Sequence, residues 1–319
     1  MSIKFEDSII SAFDGIDSSS LKISFSSHKL FICGGEVNAG AKFPPSFRDR
    51  FVGYTNANYE EINRSLVLAE NFKDYFKDNA YPDLLVFEDE IANISSLVIL
   101  FLESPGSLVE LGMFCTKPDF YKKLVIIAPQ SEVQAEDSFI YLGPLENIKR
   151  KEPNSVFVYP WPSASKAEYN SNHLYDLSET IQEKLAAIPK SHAFDSKNSG
   201  HMAFLVFEII SICYPILISE IEMALLTINI EVTNSEVNRH LYLLEKLELI
   251  SLYPYSRNKY YHPREKSNTL VKISRAPTFD KHKVRMSIQQ SYILENDNKS
   301  KKRKSALTEI QKLFAGEDE

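Results

Sequence analysis

The chain sets short apolar runs against polar breaks, and the longest-range pattern centres on residues 97–115. Leu97–Leu102 (LVILFL) is an unbroken apolar run, the mark of a strand buried on both faces. Glu103-Ser104-Pro105-Gly106 interrupts it. From Ser107 onward Leu108, Leu111 and Phe114 recur at helical spacing, which predicts a helix opening at Ser107. Similar runs at Lys29–Cys33, Ser65–Ala69, Lys123–Pro129 and Ser155–Tyr159 predict four more strands. Helices are predicted after Pro44-Pro45-Ser46, over Phe72–Lys77 and over Pro82–Ser95, the last presenting Leu84, Leu85, Ile91 and Ile94. Strands alternating with helices predict an α/β fold. Its sheet is read as doubly wound, parallel and flavodoxin-like, of order 2-1-3-4-5, with ligands at the carboxyl ends of the strands.

Outside this block the pattern changes. Residues 1–28 hold a short helical pattern (Phe5, Ile9, Ile10, Phe13) and a Ser-rich linker, and the α/β domain is read over 29–162. Residues 163–200 contain an amphipathic helix, His173–Ala187, and a polar linker. From 201 to 290 the order is helix (Ala203–Tyr214), helix (Ser219–Leu226), capped helix (Glu236–Leu247), strand, turn at Ser256-Arg257-Asn258, strand. That is the order of a winged helix. Val237, Leu241, Leu244 and Leu247 face inward on its third helix, with Arg239, His240, Tyr242 and Lys246 outward. Residues 291–319 read as a basic, mobile tail containing SKKRKS.

Charge separates the halves. The net charge is −7, but residues 1–160 carry 15 Lys/Arg against 23 Asp/Glu, and residues 236–304 carry 16 against 7. The basic half is the candidate for nucleic acid, because phosphate neutralisation supplies most non-specific affinity. Lys246, Arg257 and Lys259 would meet phosphates together with Arg239, and Tyr260 would stack a base. The other use of such a module is protein contact alone. The three cysteines lack Cys-x-x-Cys spacing, which points to a reducing, cytoplasmic compartment and away from zinc. No signal-peptide layout opens the chain and no apolar run approaches the ~20 residues of a membrane span.

The carboxyl ends of the predicted strands gather the candidate chemistry. Gly34-Gly35 permits close backbone approach. Arg48 would stand in the first turn of its helix, where a cation opposes the dipole and wants a phosphate or carboxylate partner. Glu70 is placed to meet a ribose. Ser104, Gly106 and Ser107 surround a helix start that attracts anions, with Glu110 one turn in. The same Ser107-x-x-Glu110 spacing is also a capping box, which only satisfies orphan N–H groups.

FLESPGSLVELGMF resembles the motif of the nucleoside deoxyribosyltransferase-like family, and more closely the branch of effector toxins encoded beside retron reverse transcriptases. LFICGGEV (30–37), SFRDRF (46–51) and SFIYLGP (138–144) agree with that branch. The resemblance covers about 30 to 151. It implies that Glu110 is the nucleophile on the sugar's C1′. It also singles out Glu88, where that branch carries a Glu. Ser96 is a departure, standing where the wider family has the Asp that assists the leaving base.

The resemblance therefore implies an anti-phage toxin: an N-glycosidase on NAD or purine nucleotides. Its implied partners are the retron's reverse transcriptase and branched RNA–DNA, which restrain it. Room is left for a homo-oligomer or a higher assembly. No metal or bound cofactor is called for, and no membrane. The reading from another class is a DNA-binding regulator whose first domain senses a nucleotide without chemistry, with Glu110 only capping its helix.

Overall fold

The computed structural model describes residues 4–24, 28–72, 80–134, 138–162, 168–265, 271–273 and 279–316. The chain forms two compact units that interleave along the sequence: Ser27–Lys73 with Ser95–Ile188, and Met1–Ser26 with Asp74–Ile94 and Pro189–Glu319. Among the described residues no helix is long and apolar enough to cross a membrane.

The first of these units is a mixed α/β structure around a parallel sheet of five strands. The strands are β1 (Leu30–Cys33), β2 (Leu66–Leu68), β3 (Leu97–Phe101), β4 (Leu124–Pro129) and β5 (Val156–Tyr159). They lie side by side as β2-β1-β3-β4-β5. All five residues of β3 are buried, because helices cover both faces of such a sheet and every side chain needs an apolar neighbour. Successive residues point to opposite faces. Leu30, Ile32, Leu97, Ile99, Phe101, Val125 and Ile127 therefore share one core with Phe47 and Phe51. Phe31 and Cys33 turn to the other face. Ser46 caps the helix Phe47–Asn58, its Oγ accepting the Asp49 N–H at 2.9 Å. β2 is shorter than the predicted Ser65–Ala69: Ala69 opens the 3₁₀ turn Ala69–Phe72, which holds Glu70. Most of the predicted Phe72–Lys77 helix lies outside the described residues.

The other unit is mainly helical. It holds the helix Phe5–Phe13 and the helix Leu84–Ile94. It continues with Ser199–Cys213, Ile218–Thr227 and Asn234–Lys246. An antiparallel hairpin of Ile250–Tyr255 with Asn258–Pro263 follows. Its two loop residues, Ser256 (φ 46°) and Arg257 (φ 68°), are both left-handed, as a type I′ connection requires. Leu84–Ile94 packs on Ser199–Cys213 so closely that a Cβ on Gly200 would stand 2.5 Å from the Asn93 carbonyl oxygen.

Several expectations change here. Leu84 and Leu85 are exposed, whereas Ile91 and Ile94 are buried as expected, together with Phe87, Glu88, Glu90 and Ala92. The two predicted linkers each contribute a strand: Leu21–Ser24 pairs antiparallel with Ser191–Ala193 and with Val271–Ile273. The segment read as a mobile tail carries the helix Asn298–Gly316, which buries Ala306, Ile310 and Phe314. Its basic run is anchored by Arg303, stacked 3.5 Å over the Phe5 ring and bonded to Glu220 and the Pro215 carbonyl.

Candidate active site

Strands β1 and β3 end side by side, and the loops that leave them interlock. Gly34 has φ +152°, and a Cβ there would lie 2.8 Å from the Phe101 Cβ. On Gly35 a Cβ would meet the Ser46 Cβ at 2.6 Å. Glycine at both positions lets the loop close on a side chain of its own unit, Glu103. The Glu103 carboxylate accepts backbone N–H bonds from Gly35 (3.0 Å), Phe47 (2.7 Å) and Arg48 (3.0 Å). An anion does sit at this helix start, as its free N–H groups favour, and it is a carboxylate of the protein. Gly34 and Gly35, read as ligand-binding, here serve that internal contact.

Arg48 stands in the first turn, as expected, and its side chain is buried. Its guanidinium pairs with Glu70 and donates to the Ile32 carbonyl at 3.3 Å. The carboxylate partner that the helix dipole calls for is therefore Glu70, and two residues picked out separately from the sequence meet.

The helix after β3 starts earlier than predicted, at Pro105, and spans Pro105–Phe114. Proline is preorganised for that first position. The N-cap is Ser104, whose Oγ accepts the Ser107 N–H at 3.1 Å and donates to the Gly34 carbonyl at 3.2 Å. Ser107 Oγ returns the bond, accepting the Ser104 N–H at 3.1 Å and the Glu103 N–H at 3.2 Å. It also donates to the Ser104 carbonyl at 2.8 Å. The capping box is thus Ser104 with Ser107, and the Ser107–Glu110 capping reading is corrected. Ser107 is 1% exposed, so its hydroxyl serves the loop rather than a phosphate. Gly106 stays exposed.

Glu110 takes no part in that cap. It is half-buried, and its Oε2 is enclosed without a hydrogen-bond partner. Burial pushes its carboxyl above the ordinary value, and Glu70 adds to this. A hydrogen bond with Cys33 and the charge of Arg48 act the other way. A carboxylate with an unengaged oxygen near a guanidinium suits attack on an electrophilic carbon.

Ser96 is elsewhere. It precedes β3 at the amino end, one five-residue strand from Glu103, about 16 Å at ~3.3 Å per residue. Its Oγ bonds His28 Nδ1 at 3.0 Å. An acid at Ser96 would stand at the wrong end of the sheet, so its replacement by serine says nothing about the leaving group. Glu88 is 5% exposed on the helix Leu84–Ile94, in the other unit.

The basic residues divide. Arg257 and Lys259 are exposed at the hairpin tip, and Lys246 is half-exposed, its ammonium 5.5 Å from the Tyr242 ring centroid. Arg239 is committed internally: its Nε donates to Glu90 Oε1 at 2.8 Å, and Tyr81 donates to Glu90 Oε2 at 2.8 Å. His240 and Tyr242 are likewise buried rather than outward. Tyr260 is 1% exposed, its hydroxyl accepting from the Asn258 amide at 3.0 Å. It cannot stack a base.

Two Escherichia coli proteins are similar to this chain. One, from retron Ec86, carries the provisional name ribosyltransferase/DNA-binding protein and is 29% identical over 128 residues, 40% of this chain and 39% of its own length. The other, from retron Ec73 and named alike, is 24% identical over 206 residues, 60% of this chain and 64% of its own. The chain thus spans less than two thirds of either relative. Residues 44–252 match the STM3845 retron effector protein family. That match takes in Glu103 with Phe47 and Arg48, the Ser104–Ser107 capping box, Glu110, the third helix and the first residues of the hairpin, so the chain belongs to the STM3845 retron effector family.

Proposed function

We propose that this retron effector is an N-glycosidase acting on NAD or a purine nucleotide, with Glu110 as nucleophile. The observation that carries the reading is the release of Glu110 from capping: Ser104 and Ser107 cap the helix themselves, and Glu110 keeps an oxygen without a partner. Glu110 attacks C1′ as the C1′–N bond breaks, and the bond's electrons leave with the base. Water then attacks C1′ of the glycosyl ester, releasing the sugar as a hemiacetal and restoring the carboxylate. Arg48, held by Glu70, supplies positive charge that favours the ionised nucleophile.

The leaving group decides what else is needed. Nicotinamide in NAD leaves as a neutral molecule and needs no acid. Adenine leaves well only when protonated, and Glu88 is the residue we assign to that role. The helical unit is read as a winged-helix module whose Arg257, Lys259 and Lys246 meet the phosphates of the retron's branched RNA–DNA. With the reverse transcriptase, that nucleic acid would hold the toxin in check until phage infection. The names of the two E. coli relatives, which join ribosyl transfer to DNA binding, agree with this division. Incubation of the purified protein with NAD and a panel of purine nucleotides, followed by mass spectrometry, tests the reading. Release of free base supports it, and intact substrates throughout would favour a regulator that senses nucleotides without chemistry.

A further inference from the structure

Cys33 closes β1 at its carboxyl end, is 1% exposed and lies in no disulfide. Alternation along the strand turns it away from the Phe47–Phe51 core, to the opposite face of the sheet. Its Sγ lies within 4.8 Å of a Glu110 carboxylate oxygen. We propose that the Cys33 thiol is a positioning residue for Glu110, donating its S–H to the carboxylate and fixing the direction in which the nucleophile faces C1′. This rests on the reading of Glu110 as nucleophile.

The contrast with Glu103 is informative. Glu103 is fixed by three backbone N–H groups. Glu110 sits in the second turn of its helix on a flexible stem, with Oε2 unpartnered. Within its own unit, the charged and titratable groups that act on it are Arg48 from the helix Phe47–Asn58, Glu70 after β2 and Cys33 from β1. The Arg48 guanidinium bonds Glu70 and the Ile32 carbonyl, and reaches Glu110 through charge. The thiol stands on a strand paired on both sides, by β2 and by β3, with its Sγ inside that 4.8 Å range. A weak donor suits the role, because it steers the carboxylate without locking it as Glu103 is locked.

The test uses Cys33→Ala and Cys33→Ser, each in the wild-type and the Glu110→Gln background. Base release and thermal stability are followed from about pH 5 to about pH 9. Cys33→Ala should move the acid limb of the kcat profile upward, lowering the rate below that limb by about tenfold relative to the rate above it, the size of a hydrogen bond to a charged group. Cys33→Ser should restore the limb. In stability, Cys33→Ala should be more damaging as pH rises above the ordinary glutamate value of 4.5, because the ionised form loses its donor. That pH-dependent excess should vanish in the Glu110→Gln background. Equal pH dependence in the two backgrounds would overturn the proposal whether or not base is released. An excess present without any base release would uphold the contact and overturn only the glycosidase reading.

Discussion

The carboxylate of Glu103 accepts the backbone N–H of Phe47 at 2.7 Å, across 56 residues of chain. With Gly35 and Arg48 it makes one clasp that joins the ends of β1 and β3 to a helix start. Replacing Glu103 with Ala strips the carboxylate from three partly buried donors. The α/β unit should lose about 3 kcal/mol, read by urea unfolding, since unsatisfied buried donors are expensive. Formate, small enough to occupy the vacated cradle, should recover part of the loss.

Ser107 should behave as a structural residue. Ser107→Ala removes half of the capping box and should lower stability by about 1 kcal/mol. The Michaelis constant of the surviving folded protein should stay near that of the wild type. A KM raised tenfold with unchanged stability would return Ser107 to substrate binding.

His240 gives the helical unit an acid limit. Burial and the neighbouring Arg239 hold its pKa down to about 4, against an ordinary 6.5. The folded state therefore prefers neutral imidazole. The stability contributed is full above pH 6.5 and drains as pH falls toward about 4, by up to about 3 kcal/mol. His240→Leu should flatten the stability–pH curve in that window when melts are compared at matched ionic strength. A curve that keeps the wild-type slope would assign the acid sensitivity to other groups.

Charge reversal separates surface from interior among the basic residues. Arg257→Glu with Lys259→Glu should weaken binding to branched RNA–DNA. The slope of log K against log salt should fall by about one unit for each phosphate that is no longer neutralised. Arg239→Ala should leave that slope alone and lower stability instead, because it abandons the buried Glu90 carboxylate. Anisotropy titrations at several salt concentrations, paired with thermal melts, distinguish the two classes.

The β3 run and the helix behind it were legible in the sequence because apolar periodicity carries them, and the position of Glu110 on that helix follows from its spacing. Glu103 was not, because its partners come from two other segments of chain. Ser104 was hidden by a competing Ser-x-x-Glu spacing, although Pro105 at the first helical position was the available signal. Glu90 and Arg239 are 149 residues apart, and no local pattern announces such a pair. The helix over 298–316 was masked by its charge run. Ala306, Ile310 and Phe314 recur at i, i+4 and i+8 and would have marked its buried side. The strand Leu21–Ser24 has four residues and distant partners, too little for a pattern.

Glu110 is the proposed nucleophile, and Glu110→Gln tests that role most directly. Gln preserves shape, and the cap does not involve residue 110, so the variant should fold. It should melt at a higher temperature than the wild type near pH 8, because burial disfavours the ionised carboxylate, and the difference should shrink as pH falls toward 4.5. With folding verified in this way, base release from NAD and purine nucleotides is measured for both proteins side by side. The wild type should release base, and the Gln variant, whose amide is a poor nucleophile, should be slower by at least about a thousandfold. A folded Gln variant that releases base as fast as the wild type would contradict the assignment of Glu110 as nucleophile.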